Sequence, residues 1–369
     1  MTTKIGVCNL CEAICGLQIT IKGTEVTGIR GNPDDPLSRG HVCPKGVALA
    51  DVYADPDRLR SPVKKVNGEF VETSWEDAFN IVADSLARIA KAHGRDAIAF
   101  YLGNPNAHSL GALTHGPQLL KAVGSKNVYS ATSVDQLPQQ LIATLMFGHQ
   151  FLVPIPDIDR TQYFLIFGGN PMASNGSLMT VPDFPQRARD LRARGAKMVV
   201  FDPRRTETAA IADEHVPVRP GTDAYLLLAM LHVVFADDLV SAPTWIDDLS
   251  PVADLVATFT PERAEQVSGV SAATIRRITP EYAAADGAAA YGRLGVSVQE
   301  FGLVCHWAIH VLNIVTGNLD REGGVMLTKP AIDVVGRGVV GRGGHGRYVS
   351  RVRGLPESGR ELPSGHVDR

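Results

Sequence analysis

The sequence predicts an α/β protein in which a small β-rich module precedes two Rossmann-like α/β domains. Two observations support this fold class. Residues 163–167 and 197–201 form continuous apolar runs that enclose a charged helical pattern at 186–194, which is typical of parallel strands covered by helices. Four of the five cysteines fall within the first 43 residues, ahead of these runs. That concentration sets the N-terminal segment apart as a module of its own.

Composition and charge exclude several classes of protein. The net charge of −3 and the isoelectric point near 6.4 offer no positive field for nucleic acid. The longest apolar stretch, 224–236, is interrupted by Tyr225 and His232 and is too short to cross a bilayer. Cys8 leaves no room for a signal peptide before it. We therefore expect a cytoplasmic protein that neither binds nucleic acid nor inserts into a membrane.

The N-terminal module, residues 1–58, is predicted from its cysteines and a hairpin. The cysteines follow the spacing C-x2-C-x3-C with a fourth in Cys-Pro-Lys-Gly, and they are Cys8, Cys11, Cys15 and Cys43. Four cysteines at this spacing favour a [4Fe–4S] cluster. A four-cysteine zinc site is the alternative, although zinc modules usually show two separated pairs. Residues 17–22 and 25–29 alternate around Gly23-Thr24 and predict the hairpin.

Two α/β domains are predicted after the module, at 59–130 and 131–325, followed by a Gly/Arg-rich tail at 326–369. Ser74 has an acid, Asp77, three residues on and resembles a capping box, although Asp replaces the preferred Glu or Gln. The next predicted elements are a helix at 78–92, a strand at 97–102, a helix at 110–123, a strand at 127–129 and a helix at 136–147. We expect the segment after 325 to complete the first domain.

Three loops carry candidate ligand-binding residues. They are Gly168-Gly169-Asn170-Pro171, then Asp202 with Arg204 and Thr206, and then Gly221-Thr222-Asp223. The glycine pair ends a buried strand, where backbone N–H groups can approach a phosphate, or it makes a tight turn. Asp202 can accept from ribose or guanine and Arg204 can pair with phosphate, unless this is a solvated junction. The third loop opens a helix that Thr222 or Asp223 could simply cap.

In order, spacing and residue type, these motifs resemble the molybdopterin oxidoreductase superfamily, whose members carry a bis-(molybdopterin guanine dinucleotide) cofactor. The resemblance covers about residues 5–330. Besides the cysteines, its motifs are Phe167-Gly168-Gly169-Asn170-Pro171, Asp202-Pro203-Arg204 with Thr206, Pro220-Gly221-Thr222-Asp223, and Thr316-Gly317-Asn318-Leu319 with Gly323-Gly324. It implies that the three loops hold the pyrophosphates and guanines of the two cofactor halves. It also implies that Lys45 lies between the cluster and one pterin and assists electron passage, the alternative being a solvent lysine.

The resemblance further implies a protein ligand to the molybdenum or tungsten. Counted from Asn127-Val128, the ligand position falls on Asp135, with Ser133 as the second candidate. An oxygen ligand is a hard donor suited to either metal at high valence, whereas the alternative for Asp135 is a helix cap. The segment holds no cysteine, and Gln136 stands where formate-oxidising members carry histidine. This departure argues against straightforward formate dehydrogenase chemistry.

The remaining candidates are expected to be structural or lie in the tail. His306 and His310 are four apart in a helical pattern but lack the acid and third ligand of a metal motif, so we expect packed or partly exposed helix residues. Cys305 is interpreted as an inert core cysteine. The tail arginines could line the cofactor or an anionic channel, or belong to a flexible loop, and they are Arg337, Arg342 and Arg347.

The function that the resemblance implies is two-electron redox chemistry on a small-molecule substrate, with electrons passing through the cluster to a redox partner protein or subunit. The alternative is an electron-relay or scaffold subunit that keeps the cluster without molybdenum. Motifs for pterin contact, at Asp202 and 221–223, favour the enzyme. Family members continue into further α/β structure and a β-barrel-like C-terminal domain that this chain lacks. We expect a partial sequence, or a second polypeptide that supplies that half, and activity that depends on it.

Overall fold

The computed structural model describes residues 1–330, 332–333, 335–336 and 344–364, and the chain divides into two compact units. Unit 1 comprises Met1–Ala131 together with the segment that begins at His345, and unit 2 comprises Thr132–Gly344. The four clustered cysteines belong to unit 1, and all three candidate loops belong to unit 2. The four-part division made from the sequence stays a prediction.

Unit 1 begins with an antiparallel three-stranded sheet and a pair of short helices. Its strands are β1 (Thr2–Val7), β2 (Gly16–Lys22), β3 (Glu25–Gly31), β4 (Val63–Val66), β5 (Glu69–Glu72), β6 (Ala99–Leu102) and β7 (Asn127–Ser130). Its helices are α1 (Pro44–Val47), α2 (Leu49–Ala54), α3 (Trp75–His93) and α4 (Leu110–Val123). Strands β2 and β3 form the predicted hairpin, β4 and β5 form a second one, and β6 pairs with β7 in parallel.

Unit 2 contains most of the helices described. Its strands are β8 (Ile155–Pro156), β9 (Tyr163–Phe167), β10 (Lys197–Phe201), β11 (Glu214–Val216), β12 (Ala288–Gly292) and β13 (Val325–Met326). Its helices are α5 (Leu137–Phe147), α6 (Pro171–Ser174), α7 (Phe184–Ala193), α8 (Glu207–Ile211), α9 (Asp223–Ala236), α10 (Ser250–Val256), α11 (Pro261–Ser268), α12 (Ala272–Ala284), α13 (Leu294–Ser297) and α14 (Gly302–Val315). Across both units, short 3₁₀ turns lie at Arg95–Ala97, Asn104–Ala107, Ala131–Val134 and Ser177–Met179.

The core of unit 2 is a parallel sheet with the strand order β11-β10-β9-β12. Side chains of β9 alternate between two cores. Leu165 and Phe167 pack with helices α9, α12 and α14, whereas Phe164 and Ile166 pack with α7 on the other face. This arrangement confirms the α/β fold class, since both faces of the sheet are covered by helices as parallel sheets require.

The chain returns to unit 1 through the antiparallel pair β14 (His345–Val349) and β15 (Pro356–Ser358). Just after β15, the Leu362 N–H donates to the Val128 carbonyl at 2.9 Å, and the Ser130 hydroxyl donates to the Glu361 carboxylate. The late segment is thereby bound along β7. Over the residues described, every helix is too short or too polar to span a membrane.

Candidate cofactor site

The cysteines form the centre of a small core beside the three-stranded sheet. The Cys8 N–H donates to the Cys15 carbonyl at 2.8 Å and closes the loop between β1 and β2. Both cysteines are buried, and Leu17 packs with them. Cys43 stands at the N-terminal cap position of α1, where its carbonyl accepts from the Gly46 N–H at 2.9 Å. The loop between β1 and β2 therefore carries three of the thiols, and the fourth stands at the start of α1.

The electrostatics of the four thiols fit a shared cationic group. Burial, and after it the charges of Cys8, Cys11 and Cys43, raise the pKa of Cys15 to about 11. Four mutually repelling thiolates need a positive partner, which iron would supply. Gly46 adds a cradle, because a Cβ there would lie 3.5 Å from Cys8 Sγ. In the described chain no three His, Cys, Asp or Glu side chains are arranged to hold a single metal ion.

Lys45 is exposed on α1, two residues after Cys43. Its side chain is placed by the helix that Pro44 begins, since proline favours the first helical position. The position agrees with both interpretations of this residue, and its role in electron passage stays a prediction.

The Gly168 turn is required by a close approach of two backbones. Gly168 has a φ of +56°, and a Cβ there would lie 2.8 Å from Gly295 Cα. The Gly295 N–H donates to the Gly168 carbonyl at 2.9 Å, and the Gly168 N–H donates to the Phe201 carbonyl at 2.9 Å. A Cβ on Gly169 would lie 3.0 Å from Ile166. The tight-turn interpretation therefore holds, and it leaves the backbone bare at the end of β9.

Asn170 ties this turn to α8. Its Oδ1 accepts from the Thr208 hydroxyl at 2.8 Å, and its Nδ2 donates to Glu207 at 2.7 Å. Pro171 is buried as the first residue of α6. These contacts give Asn170 and Pro171 structural roles at the carboxyl end of the sheet, whatever they bind.

The loop after β10 is also held by its own contacts. Asp202 Oδ1 accepts from the Arg204 N–H at 2.9 Å, and the Arg204 guanidinium lies 3.4 Å from Glu207. Thr206 caps α8 by accepting from the Ala209 N–H at 3.0 Å. The guanidinium is exposed, so it remains accessible to an anion.

The third loop precedes α9, and neither Thr222 nor Asp223 caps that helix with its side chain, so the capping alternative is wrong. Thr222 occupies the cap position of α9, but its hydroxyl donates to the Arg219 carbonyl at 2.6 Å and no side chain caps the helix. Asp223 is buried and accepts from Gln299 Nε2 at 3.0 Å, and burial raises its pKa. Gly221 is exposed at a φ of +79° with nothing near its Cβ position.

Asp135 does not cap a helix either. Gln136 occupies the cap position of α5 without a side-chain bond, which overturns the capping alternative. Asp135 Oδ1 lies 3.3 Å from Arg293 Nη1. The same oxygen is buried and accepts no aligned hydrogen bond from any described residue. The Asp135 side chain as a whole is 40% exposed, so its other carboxylate oxygen is the one that fits a metal donor. Ser133 lies in the preceding 3₁₀ turn and is partly exposed.

Arg293, which contacts Asp135, was not among the residues predicted from the sequence. Strand β12 was not predicted either, because the run of alanines there has no β-branched residue and alanine favours helices. The available signal was Arg293 directly after Gly292, the last residue of this strand, since charged residues at the carboxyl ends of parallel strands meet at one edge of a sheet.

The residues that we expected to be structural lie in the core. His306 and His310 are buried in α14, and His306 Nε2 is 2.8 Å from the Ser297 hydroxyl. Cys305 is buried, which raises its pKa to about 12. In the tail, Arg347 belongs to β14, whereas Arg337 and Arg342 fall outside the described residues.

Two family models match the chain. The Fe4S4 domain of the molybdopterin oxidoreductases matches residues 1–55, and the molybdopterin oxidoreductase model matches residues 58–342. The chain belongs to the molybdopterin oxidoreductase family. The resemblance seen in the sequence is thereby confirmed, and with it a [4Fe–4S] cluster and a molybdopterin cofactor as the groups that these domains bind.

Individual relatives agree with this assignment. The molybdopterin-containing subunit of a thiosulfate reductase from Salmonella typhimurium is 30% identical over an alignment of 345 residues, and the match covers 89% of this chain and 43% of that protein. The alpha subunit of an F420-dependent formate dehydrogenase from Methanococcus maripaludis is 27% identical over 326 residues, covering 86% and 46%. Both names denote subunits. The chain spans less than half the length of these relatives.

Among solved structures, acetylene hydratase from Pelobacter acetylenicus shares the fold. Its TM-score is 0.75 at 21% sequence identity, and the match covers 89% of this chain and 45% of that one. The fold class predicted from the sequence is therefore also that of a solved molecule.

Proposed function

We propose that this chain is the cluster-bearing and cofactor-binding part of a molybdenum or tungsten oxidoreductase. One observation carries the proposal: the turn at Gly168, the loop at Asp202 and the buried Arg293 all follow strands of one parallel sheet, at its carboxyl edge. Open α/β sheets bind dinucleotides at that edge. A cofactor with two guanine dinucleotide halves would find bare backbone, an exposed arginine and carboxylates there.

Each loop has a distinct proposed part in binding. The backbone at Gly168 and Gly169 would approach a pyrophosphate, since neither residue carries a side chain to keep it away. Arg204 would pair with phosphate. Asp202, Thr222 and Asp223 would accept or donate hydrogen bonds at the ribose and guanine edges. Asp223 is already oriented by Gln299 and hence needs little rearrangement.

Asp135 is the proposed protein ligand, with Ser133 as the second candidate. When bound, the molybdenum or tungsten centre exchanges two electrons with the substrate. The carboxylate of Asp135 would set the charge at that centre as a hard oxygen donor. Its Oδ1 is buried against Arg293 while the side chain as a whole is 40% exposed, which leaves the second oxygen for the metal and supports this assignment over Ser133.

The four cysteines would hold the cluster, and Lys45 would stabilise negative charge beside it. Electrons would leave one at a time for a redox partner protein or subunit, for which a reduced cytoplasmic setting is suitable. The substrate class remains that of a small molecule. Thiosulfate and formate enter a first screen because relatives are named for them, and nitrate enters as a substrate for oxygen-atom transfer.

A relay or scaffold subunit without molybdenum is the second candidate function. It is favoured by the local contacts of the second loop, since Thr206 caps α8 and Asp202 binds the Arg204 N–H. Those residues have structural reasons to be present even where no pterin is bound.

Metal analysis of the complete reading frame, produced anaerobically, separates the two functions. About four irons with one molybdenum or tungsten per chain is the result expected for the enzyme. Four irons without either metal, in a host that makes the cofactor, would establish the relay instead. Zinc in place of iron would overturn the cluster and both functions.

A further inference from the structure

Arg293 is a buried cation at the edge of the sheet where the loops lie. It directly follows β12, and its N–H donates to the Phe167 carbonyl at 3.1 Å. The Ser297 hydroxyl donates to the Arg293 carbonyl at 3.3 Å. The backbone of Arg293 is thus bound to the end of β9 on one side and to α13 on the other, so the root of its side chain is fixed.

The guanidinium is buried beside an acid and a neutral histidine. The Arg293 side chain is 9% exposed, and Nη1 lies 3.3 Å from Asp135 Oδ1. His306 stays neutral, because burial and then the charges of His310 and Arg293 lower its pKa to about 3. A buried arginine is costly unless an anion compensates it. Asp135 therefore supplies charge that Arg293 needs.

The ion pair with Arg293 involves only one of the two carboxylate oxygens of Asp135. Oδ1 is buried against Arg293, while the Asp135 side chain as a whole is 40% exposed. The exposed part must lie on its other atoms. One oxygen faces the arginine, and the remaining oxygen is the one that a metal could reach.

We propose that Arg293 is a positioning residue that fixes the Asp135 carboxylate for one-oxygen coordination of the metal. This inference rests on the proposed function, in which Asp135 is the ligand. A planar guanidinium suits the task, since it holds a carboxylate in a defined plane, whereas lysine offers only a point charge. Outer partners of metal ligands act in this way, by orienting the ligand and tuning its basicity.

The chain offers a matched control in the same unit. Arg187 has a side chain that is 7% exposed and pairs with the Asp159 carboxylate. It lies on α7, and its partner Asp159 precedes the first residue of β9, whereas the candidate loops follow the last residues of their strands. Arg187→Met removes a buried arginine from an aspartate just as Arg293→Met does. Any effect of lost buried charge on folding should therefore be shared by both variants.

The test uses the complete reading frame, produced anaerobically with its cofactor, in the wild-type, Arg293→Met, Arg293→Lys, Arg187→Met and Asp135→Asn forms. The readouts are bound molybdenum or tungsten per chain, the metal's electron paramagnetic resonance signal and the number of oxygen neighbours from X-ray absorption. We expect Arg293→Met to lower metal retention about tenfold or more and to change the signal in the direction of Asp135→Asn. Arg293→Lys should restore part of it, and Arg187→Met should leave the signal unchanged.

The outcomes separate this inference from the proposed function. A changed signal in Asp135→Asn with an unchanged one in Arg293→Met overturns the positioning role and leaves Asp135 as the ligand. Unchanged signals in both variants overturn the inference because Asp135 is then not the ligand, although bound metal still supports an enzyme. Equal losses in Arg293→Met and Arg187→Met, with iron content retained, would show a structural pair only. Wild-type protein with iron but neither metal overturns the proposed function itself.

Discussion

At the scale of single residues, two asparagines complete the sheet of unit 2. Asn318 Oδ1 accepts from the Ala288 N–H at 2.9 Å, and Asn313 Oδ1 accepts from the Ala290 N–H at 3.0 Å. Both groups lie on β12, which ends the sheet. A sheet edge exposes unpaired backbone groups, and these side chains pair with them. This explains physically why the motif containing Asn318 occurs in a chain of this fold.

Replacing Asn313 should therefore destabilise unit 2 strongly. Its amide also donates to the carbonyls of Ala290 and Ile309 and accepts from the Tyr282 hydroxyl at 2.8 Å. Asn313→Leu leaves several buried groups unpaired, at about 1–3 kcal/mol each, and we expect a loss of about 3–5 kcal/mol in denaturant unfolding. Tyr282→Phe, which removes the hydroxyl but keeps the Asn313 amide and its backbone partners, should cost less, about 1 kcal/mol. Equal losses in the two variants would contradict this account.

The buried histidines predict acid sensitivity. Burial lowers the pKa of His310 to about 4 from the ordinary 6.5, and His306 is lowered further to about 3. At a pH between these lowered pKa values and the ordinary 6.5, the unfolded chain binds protons that the folded chain does not. The free energy of unfolding therefore falls as the pH drops below about 6.5. We expect each histidine to cost about 2 kcal/mol between pH 7 and pH 5. His310→Leu should halve this loss in denaturant titrations at the two pH values, and an unchanged loss would count against it.

At the scale of elements, the turn after β9 passes so close to the start of α13 that only glycine fits at position 168. Gly168→Ala would strain a positive φ and place its Cβ 2.8 Å from Gly295 Cα. We expect a loss of about 3 kcal/mol in the free energy of unfolding. Gly195→Ala is the matched control, with a φ of +77° and open space at the Cβ position, and should cost only about 1 kcal/mol. Thermal and denaturant unfolding compare them, and similar losses would remove the steric part of this explanation.

Elements with a strong local pattern were predictable, and those made by tertiary context were not. The helix predicted at 110–123 is α4 with the same bounds, and the strands at 163–167 and 197–201 are β9 and β10. Strand β12 was missed because alanines carry no β signal, and its place depends on β9 beside it and on Asn313. Arg293 was missed with it. Its pairing with Asp135 spans 158 positions of the chain, and no local pattern encodes that.

At the scale of the whole molecule, the two units differ in what holds each together. Unit 2 has helices packed on both faces of a buried sheet. The cysteine module of unit 1 has a core of Cys8, Ala13, Cys15 and Leu17, so half of its buried members are proposed cluster ligands. When ligands make up so much of a core, metal binding contributes to folding itself. The two regions should accordingly respond differently when iron is removed.

Removing iron from the purified protein should loosen the cysteine module and spare the parallel sheet. Without iron, the thiols at Cys8 and Cys15 must be buried as unligated groups beside Cys11 and Cys43. We expect amide hydrogen exchange to quicken about tenfold or more in β2 and β3, which corresponds to at least about 1.4 kcal/mol of lost local stability, while β9 and β10 keep their protection. Cys8→Ala should reproduce the effect, whereas Cys305→Ala should leave the iron content unchanged. Equal quickening in both sheets would mean that the cluster does not act on its own module.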